Sequence, residues 1–252
     1  MEQNYESSYH QMESNRWWFY TRRDIVIRLI KNFKYDDLSK LKVLDIGCSS
    51  GHLLLDLVDK GFNPKNLYGI DVSQEAINQC HKNGLYNTYV MDATNSTFPD
   101  IKFDILIASD CLEHIAQDEM ALANWKTIKK KGGQLIVFVP AFSILWSDHD
   151  VINHHHRRYT LNELRRKSNM AGYNILQTGY WNFFLFLPVL IINFIIKRSV
   201  KNNVQQNTKS NWDYQPKSIN GFLKALLLIE NFLIANLRIR LPVGISTYCI
   251  LE

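Results

Sequence analysis

The sequence predicts an α/β protein built on a doubly wound, mostly parallel sheet. Three observations predict it. Short apolar runs alternate five times with segments of helical length and content. The runs are unbroken, as parallel strands covered on both faces require. The unusual residues, acids and glycines, follow the runs directly, where ligands bind in such sheets.

The elements follow in order. Residues 21–34 read as a helix, because Ile25, Val26, Leu29, Ile30 and Phe33 recur at helical spacing. Lys42–Ile46 is a short apolar run ending in Gly47, the pattern of a buried strand. From Ser50 onward the content is helical. Leu67–Ile70 is the second strand, and Ser73 caps a helix running to His81. Tyr86–Met91 and Phe103–Ala108 are the third and fourth strands. Ala116–Lys130 reads as a helix closed by Gly132 and Gly133. Gln134–Val139 is a fifth strand ended by Pro140, Leu161–Met170 a helix, and Tyr173–Thr178 a sixth strand. Then the pattern breaks. Trp181–Ile196 is almost wholly apolar, and Lys197–Ser218 has the composition of an exposed linker. Phe222–Leu237 is apolar and helical again, and Ile245–Leu251 is a seventh strand.

Composition excludes several classes. Of 252 residues, 46% are apolar and 21% charged, which excludes a disordered, collagen-like or multi-span membrane chain. The net charge is +5. Residues 1–180 are electrically balanced; residues 181–252 hold eight basic and three acidic residues and carry the whole excess. That is not the pattern of a uniformly basic nucleic-acid binder, so no nucleic-acid partner is expected. The four cysteines are scattered without a CxxC pair, and the N-terminus is polar with no apolar core. Reduced thiols and a cytoplasmic location follow as expectations.

The chemistry is concentrated in the run Val43-Leu44-Asp45-Ile46-Gly47-Cys48-Ser49-Ser50-Gly51. Strand, glycine turn and helix start together expose backbone N–H groups to a ligand. The spacing is neither GxGxxG nor a phosphate-binding GK[ST]. Asp45 before the first glycine would repel a phosphate but accept from an ammonium, which points to a zwitterionic amino-acid ligand. The second strand ends in Asp71, placed to accept from ribose hydroxyls. The third ends at Asp92, which can accept from an adenine amino group. The fourth leads into Ser109-Asp110-Cys111-Leu112-Glu113-His114.

The ordered set Val-Leu-Asp-Ile-Gly-Cys-x-x-Gly, Gly-Ile-Asp-Val-Ser, Asp-Ala and Phe-Asp-Ile-Leu-Ile-Ala-Ser-Asp-Cys-Leu-Glu-His-Ile resembles the class I S-adenosylmethionine (SAM)-dependent methyltransferases over residues 41–178. The resemblance implies a Rossmann-like seven-stranded sheet with its last strand antiparallel. It implies that Asp45, Gly47 and Gly51 hold the methionine end, Asp71 the ribose and Asp92 the adenine. Cys48, Val72, Ala93 and Asp110 are placed in the same pocket. Ser49 departs from the usual middle glycine; it is small enough to fit, and a modest effect on affinity is expected.

The acceptor side is read from two segments. After the fifth strand come Trp146-Ser147-Asp148-His149-Asp150 and His154-His155-His156-Arg157-Arg158-Tyr159-Thr160. This resembles a bacterial methyltransferase subgroup with a His-Asp-x4-His-x-Arg-Arg-Tyr segment, many of whose members are linked to cell-surface polysaccharide or lipid metabolism. His155 is the matching histidine. A histidine can take a proton from a hydroxyl as the methyl arrives, so His155, His114 and Tyr159 are the catalytic candidates. His114 is equally suited to line the cofactor pocket. His149, Asp150, Arg157 and Arg158 are substrate-side candidates, with Asp150 orienting His155 and an arginine holding an anion. No metal is expected, because neighbouring residues on one loop rarely converge on one ion. The aromatic run Arg16–Tyr20 forms the second segment, with Trp18 as the substrate contact of an N-terminal helical lid.

The expected organisation is therefore a lid over 1–40, a SAM-binding core over 41–180, a helical insertion over 181–243 between strands six and seven, and a final strand over 244–252. Three readings of the insertion stay open: a packed substrate-binding subdomain, a monotopic membrane contact through 181–240, or a homodimer interface. The first two give access to a small or lipid-linked acceptor. The expected activity is methyl transfer from SAM, at oxygen. Two rivals remain: a SAM-binding protein that transfers nothing, and a nucleotide-dependent oxidoreductase on a similar sheet.

Overall fold

The computed structural model describes residues 13, 16–33, 35–200 and 217–252. The linker expected over Lys197–Ser218 lies mostly outside them. The architecture is a seven-stranded sheet flanked by helices. In chain order the elements are α1 (Trp17–Lys31), β1 (Val43–Ile46), α2 (His52–Val58), β2 (Leu67–Asp71), α3 (Gln74–Lys82), β3 (Thr88–Val90) and β4 (Phe103–Ser109). Then follow α4 (Asp118–Ile128), β5 (Lys129–Pro140), α5 (Asp148–Ile152), α6 (Leu161–Met170), β6 (Ile175–Trp181), α7 (Phe186–Val200), α8 (Lys217–Ala235) and β7 (Ser246–Leu251).

The strand order is β3-β2-β1-β4-β5-β7-β6. The pairs among β1 to β5 are parallel, and β7 runs antiparallel between β5 and β6. The Rossmann-like reading with an antiparallel last strand holds. Strand order reverses between β1 and β4, so a crevice opens beyond their carboxyl ends. The sheet divides the core into two apolar clusters. One holds Ile25, Leu29, Leu54, Ile107, Phe138 and Trp181; the other holds Leu44, Ile46, Leu106, Trp125, Val137 and Tyr159.

Two boundaries differ from the sequence reading. The helix expected to close at Gly132-Gly133 ends at Ile128, and β5 starts at once. Gly133 serves the sheet instead. A Cβ there would sit 2.9 Å from the carbonyl oxygens of Phe103 and Asp104, where the β4–β5 register is irregular. The sixth strand runs from Ile175 to Trp181, so Trp181 ends a strand and does not start a helix.

The helix expected as a lid is largely core. Ile25, Val26, Leu29 and Ile30 of α1 are fully buried, and α1 packs along α8. On α8 the buried residues are Leu227, Glu230, Asn231, Ile234 and Ala235, the stripe of an amphipathic helix. Asn231 donates to the Thr21 carbonyl and the Asp24 carboxylate, and Asn32 donates to the Ala235 carbonyl. The Glu230 carboxylate accepts from the backbone N–H groups of Asn182, Phe183 and Phe184, which fixes where the insertion leaves the sheet. Among the described residues no helix is long and apolar enough to cross a membrane.

Candidate active site

The parallel strands deliver four acids to one edge of the sheet. Asp45 stands in β1 opposite Gly69 of β2 and Ile107 of β4. Asp71 ends β2, Asp92 follows β3, and Asp110 follows β4. The turn after β1 is bent back by two hydrogen bonds, from the N–H groups of Gly47 and Cys48 to the Ile70 carbonyl. It needs left-handed backbone at Gly47 (φ 76°), Ser49 (φ 46°) and Gly51 (φ 81°). Gly51 is also closely packed: a Cβ there would lie 2.5 Å from Leu85 Cδ1 and 3.0 Å from Cys80 Sγ. Ser49 adopts the glycine conformation that its position demands, at a cost of ~1–2 kcal/mol.

Each acid has its own electrostatics. Asp45 is only 4% exposed. Burial, then the charges of Glu13 and Asp71, push its carboxyl up to about 8. Asp71 accepts the Ser49 N–H on one oxygen and the Ser73 N–H on the other. Asp92 accepts from the Thr94 N–H and hydroxyl, which hold it below the usual carboxylate range. Asp110 is in left-handed backbone (φ 56°) and pairs with Arg22 at 3.1 Å. Val72, 75% exposed, offers a flat apolar surface beside Asp71. Ala93 opens the turn after β3. Cys48 is placed differently from expectation. Its thiol is buried against Gly69, so the backbone of this residue, not its side chain, shapes the turn.

The acceptor-side residues come from two loops. The loop after β4 carries Glu113 and His114; the loop after α5 carries His155, Arg157 and Arg158. The N–H of His156 donates to the Glu113 carbonyl at 2.8 Å and ties the loops together. Asp150 is buried at the junction. It accepts from His155 Nδ1 at 2.8 Å and from Arg158 Nε and Nη2 at 2.8 and 2.9 Å. These bonds hold its pKa well below the ordinary carboxylate value despite burial, which acts the other way. The Asp150 carboxylate therefore fixes the orientation of the His155 ring. The His114 and His155 rings meet edge to face at 4.6 Å. Burial, then His155, lowers His114 to about 4. His149 lies beside the pair, its ring centroid 6.2 Å from that of His155, and burial lowers it too.

Four expected site residues have other tasks. Tyr159 is a core residue: its buried hydroxyl donates to Asp118 at 2.8 Å, and burial raises its pKa. It has no open face for a substrate. Arg158 is committed to Asp150 and the Ala141 carbonyl, and Arg157 to Asp118 and the Ala116 carbonyl. Trp18 packs edge to face on Trp181 at 5.0 Å.

The structure adds residues that the sequence reading passed over. Arg22 of α1 is buried over the Trp181 ring at 4.1 Å and donates to Ser246 and Asp110. Its only sequence signal is a basic residue inside an apolar helix pattern. Glu13 accepts from the Ser49 and Ser50 hydroxyls over the glycine turn. Glu113 is fully buried, and neither carboxylate oxygen has a hydrogen-bond partner among the described residues.

Residues 44–137 match the family model described as a methyltransferase domain. Over these residues the chain is similar to a methyltransferase domain. Among curated relatives, the ubiquinone biosynthesis O-methyltransferase of Rickettsia prowazekii is 28% identical over 137 residues, covering 49% of this chain and 54% of that protein. The aklanonic acid methyltransferase of Streptomyces sp. strain C5 is 32% identical over 107 residues, covering 40% and 49%. The chain thus spans about half the length of the curated relatives it matches. Among solved structures, a chain of the complex between the Haloferax volcanii Trm112 methyltransferase activator and a methyltransferase superposes with TM-score 0.62 at 15% identity, covering 98% of this chain and 93% of that one. A SAM-dependent methyltransferase from Archaeoglobus fulgidus gives 0.53 at 18% identity, covering 91% and 93%. These two show the fold.

SAM is the cofactor of a methyltransferase domain of this class, and the residues present fit it. The turn is left-handed at Gly47 and Gly51, and a Cβ at either would press on Cys111 or Leu85, so both positions favour glycine and leave the turn without side chains there. Asp45 is a buried acid among acids, which an ammonium group would neutralise. Asp71 and Asp92 keep acceptor capacity at the strand ends for ribose hydroxyls and the adenine amino group.

Proposed function

We propose that the chain transfers a methyl group from SAM to a hydroxyl of a small or lipid-linked acceptor. Asp45 and the Gly47–Gly51 turn would hold the methionine end, Asp71 the ribose and Asp92 the adenine. Bound there, SAM supplies an electrophilic methyl on a sulfonium. The protein does the rest by positioning, which is the larger part of such catalysis. The observation that carries the reading is His155. Its Nδ1 is tied to buried Asp150, so Nε2 keeps a lone pair that can act on an acceptor hydroxyl beside the cofactor edge. Relatives named for O-methylation support oxygen as the acceptor atom.

The insertion supports a lipid-linked acceptor. Helix α7 is tied to the acceptor-side loop by Asn193, which donates to the Leu145 carbonyl, and by Phe186 against Phe142. Yet Leu187, Ile191, Ile192, Phe194 and Ile195 are exposed on it. A greasy acceptor, or the bilayer holding it, would cover that face.

The test is transfer of labelled methyl from SAM to a panel of hydroxylated aromatic and lipid acceptors. His155→Ala should lower kcat by about 100-fold or more with SAM affinity kept. SAM binding without transfer to any acceptor would favour a SAM-binding protein instead.

A further inference from the structure

We propose that Glu113, His114 and His155 bind one divalent transition-metal ion of the zinc class at the acceptor side of the cleft. One ring nitrogen of each histidine and one Glu113 oxygen lie within 4.8 Å of one another. Two histidines and a carboxylate with open positions are a donor set for borderline divalent ions, not for magnesium or calcium. The sequence argument against a metal was that neighbours on one loop do not converge. Here the donors come from two loops, joined by the His156–Glu113 backbone bond.

Three further observations point to a cation. First, Glu113 is a fully buried carboxylate with no hydrogen-bond partner at either oxygen among the described residues. A lone group of this kind is unfavourable until something positive meets it. Second, the surrounding charges leave it as the odd one. Asp110 is paired with Arg22, and Asp150 with Arg158. Glu113 has no ion-pair partner of its own among the described residues. Third, His155 already has a partner that orients it. His155 gives Nδ1 to Asp150, and the His114 ring packs edge to face on the His155 ring at 4.6 Å. This is how metal-binding histidines are fixed: one nitrogen held by an oxygen acceptor, the other left for the ion.

The inference rests on the reading of this cleft as the acceptor side. It changes how that side works. An ion in the cluster would take the His155 lone pair, and its open positions would hold the acceptor oxygen and favour its ionised form. His155 would then act as a ligand rather than as a free base.

Metal binding is measured on the full chain, stripped with chelator and titrated with Zn²⁺ by calorimetry. Co²⁺ is the spectroscopic probe of coordination. One ion per chain is expected, with tetrahedral or five-coordinate Co²⁺ absorption. Glu113→Gln keeps the shape and removes the charge. It should weaken binding by more than about 100-fold, since even outer partners are worth 10–100-fold. His154→Gln, outside the cluster, should bind as the wild type does. Absence of a stoichiometric ion in the wild type overturns the proposal. So does Zn²⁺ affinity in a folded Glu113→Gln within about threefold of the wild type. None of these readouts uses methyl transfer. An ion bound by a chain that methylates nothing leaves the site standing and removes the functional reading instead.

Discussion

Asp45 gives the sharpest test, because its effects on stability and on binding have opposite signs. Its carboxyl is buried, and burial, Glu13 and Asp71 raise it to about 8 in the folded chain. The unfolded value is about 3.9. A raised folded pKa means that the folded state holds a proton the unfolded state has lost. The associated stability is complete below pH ~4 and falls as pH rises toward ~8, above which it is flat. At 1.36 kcal/mol per unit, the penalty is about 1.5 kcal/mol at pH 5 and about 5 kcal/mol at pH 8.

Asp45→Asn removes that titration and keeps the shape. The cofactor-free variant should therefore be more stable than the wild type, with a margin that grows by about 3–4 kcal/mol between pH 5 and pH 8. Denaturant melts at several pH values read it directly. The same substitution should weaken SAM by at least about 100-fold, because the cofactor ammonium would lose its only buried counter-charge in β1. Calorimetric titration with S-adenosylhomocysteine, which carries the same ammonium, measures this. A variant that is less stable than wild type at pH 8, or that binds the ligand within about threefold of it, refutes the reasoning. Either result would mean that Asp45 is satisfied within the protein and does not wait for a ligand.

Other predictions use single contacts. Gly51→Ala forces a Cβ against Leu85 and Cys80 at a left-handed residue; it should cost about 1–3 kcal/mol in thermal or denaturant unfolding and weaken SAM in parallel. Glu230→Ala leaves three N–H groups at the β6–α7 junction without their acceptor; unfolding free energy should fall by about 2–4 kcal/mol, while His155-dependent chemistry changes less. Phe194→Asp places a charge on the exposed face of α7, where Phe194 is 64% exposed. If that face meets lipid, co-flotation with anionic vesicles at low salt should drop at least about tenfold with the melting temperature unchanged. Equal flotation of variant and wild type counts against the lipid surface.

The cofactor half was legible because parallel strands impose a grammar. An acid or glycine directly after a β-run must fall at the carboxyl edge, so Asp45, Gly47, Gly51, Asp71 and Asp92 could be placed from spacing alone. The acceptor half was only partly legible. The His155–Asp150 contact spans five residues and follows from a local loop, so the sequence carried it. The fate of Arg157, Arg158 and Tyr159 did not follow. Apart from the local Arg158–Asp150 pair, their partners, Asp118, Ala116 and Ala141, lie on other elements, and nothing in a linear pattern pairs them. The same holds for the α4–β5 boundary. Gly132-Gly133 reads as a helix stop in isolation, but pairing with β4 at Phe103 decides it.

Arg22 links the two halves. It sits on α1, stacks on Trp181 at the end of β6, and bonds Asp110 after β4 and Ser246 at the start of β7. Burial disfavours its charge, and Asp110 and then Glu113 favour it. One buried guanidinium thus joins the N-terminal helix, the entry to the insertion and the loop that leads to His114. The residues around it are strained in the same place. Asp110 is left-handed at φ 56°, and Asn182, next to Trp181, at φ 65°. Strain of this kind persists only where surrounding contacts over-determine it. An acceptor entering past the insertion would therefore meet a rim fixed by Arg22, and any shift of α7 would be felt at Asp110 through Trp181. Coupling of this sort is reciprocal: a ligand that orders the cofactor edge at Asp110 should also tighten the insertion, which hydrogen exchange at Asn182–Phe184, with and without SAM, would register as slower exchange when SAM is bound.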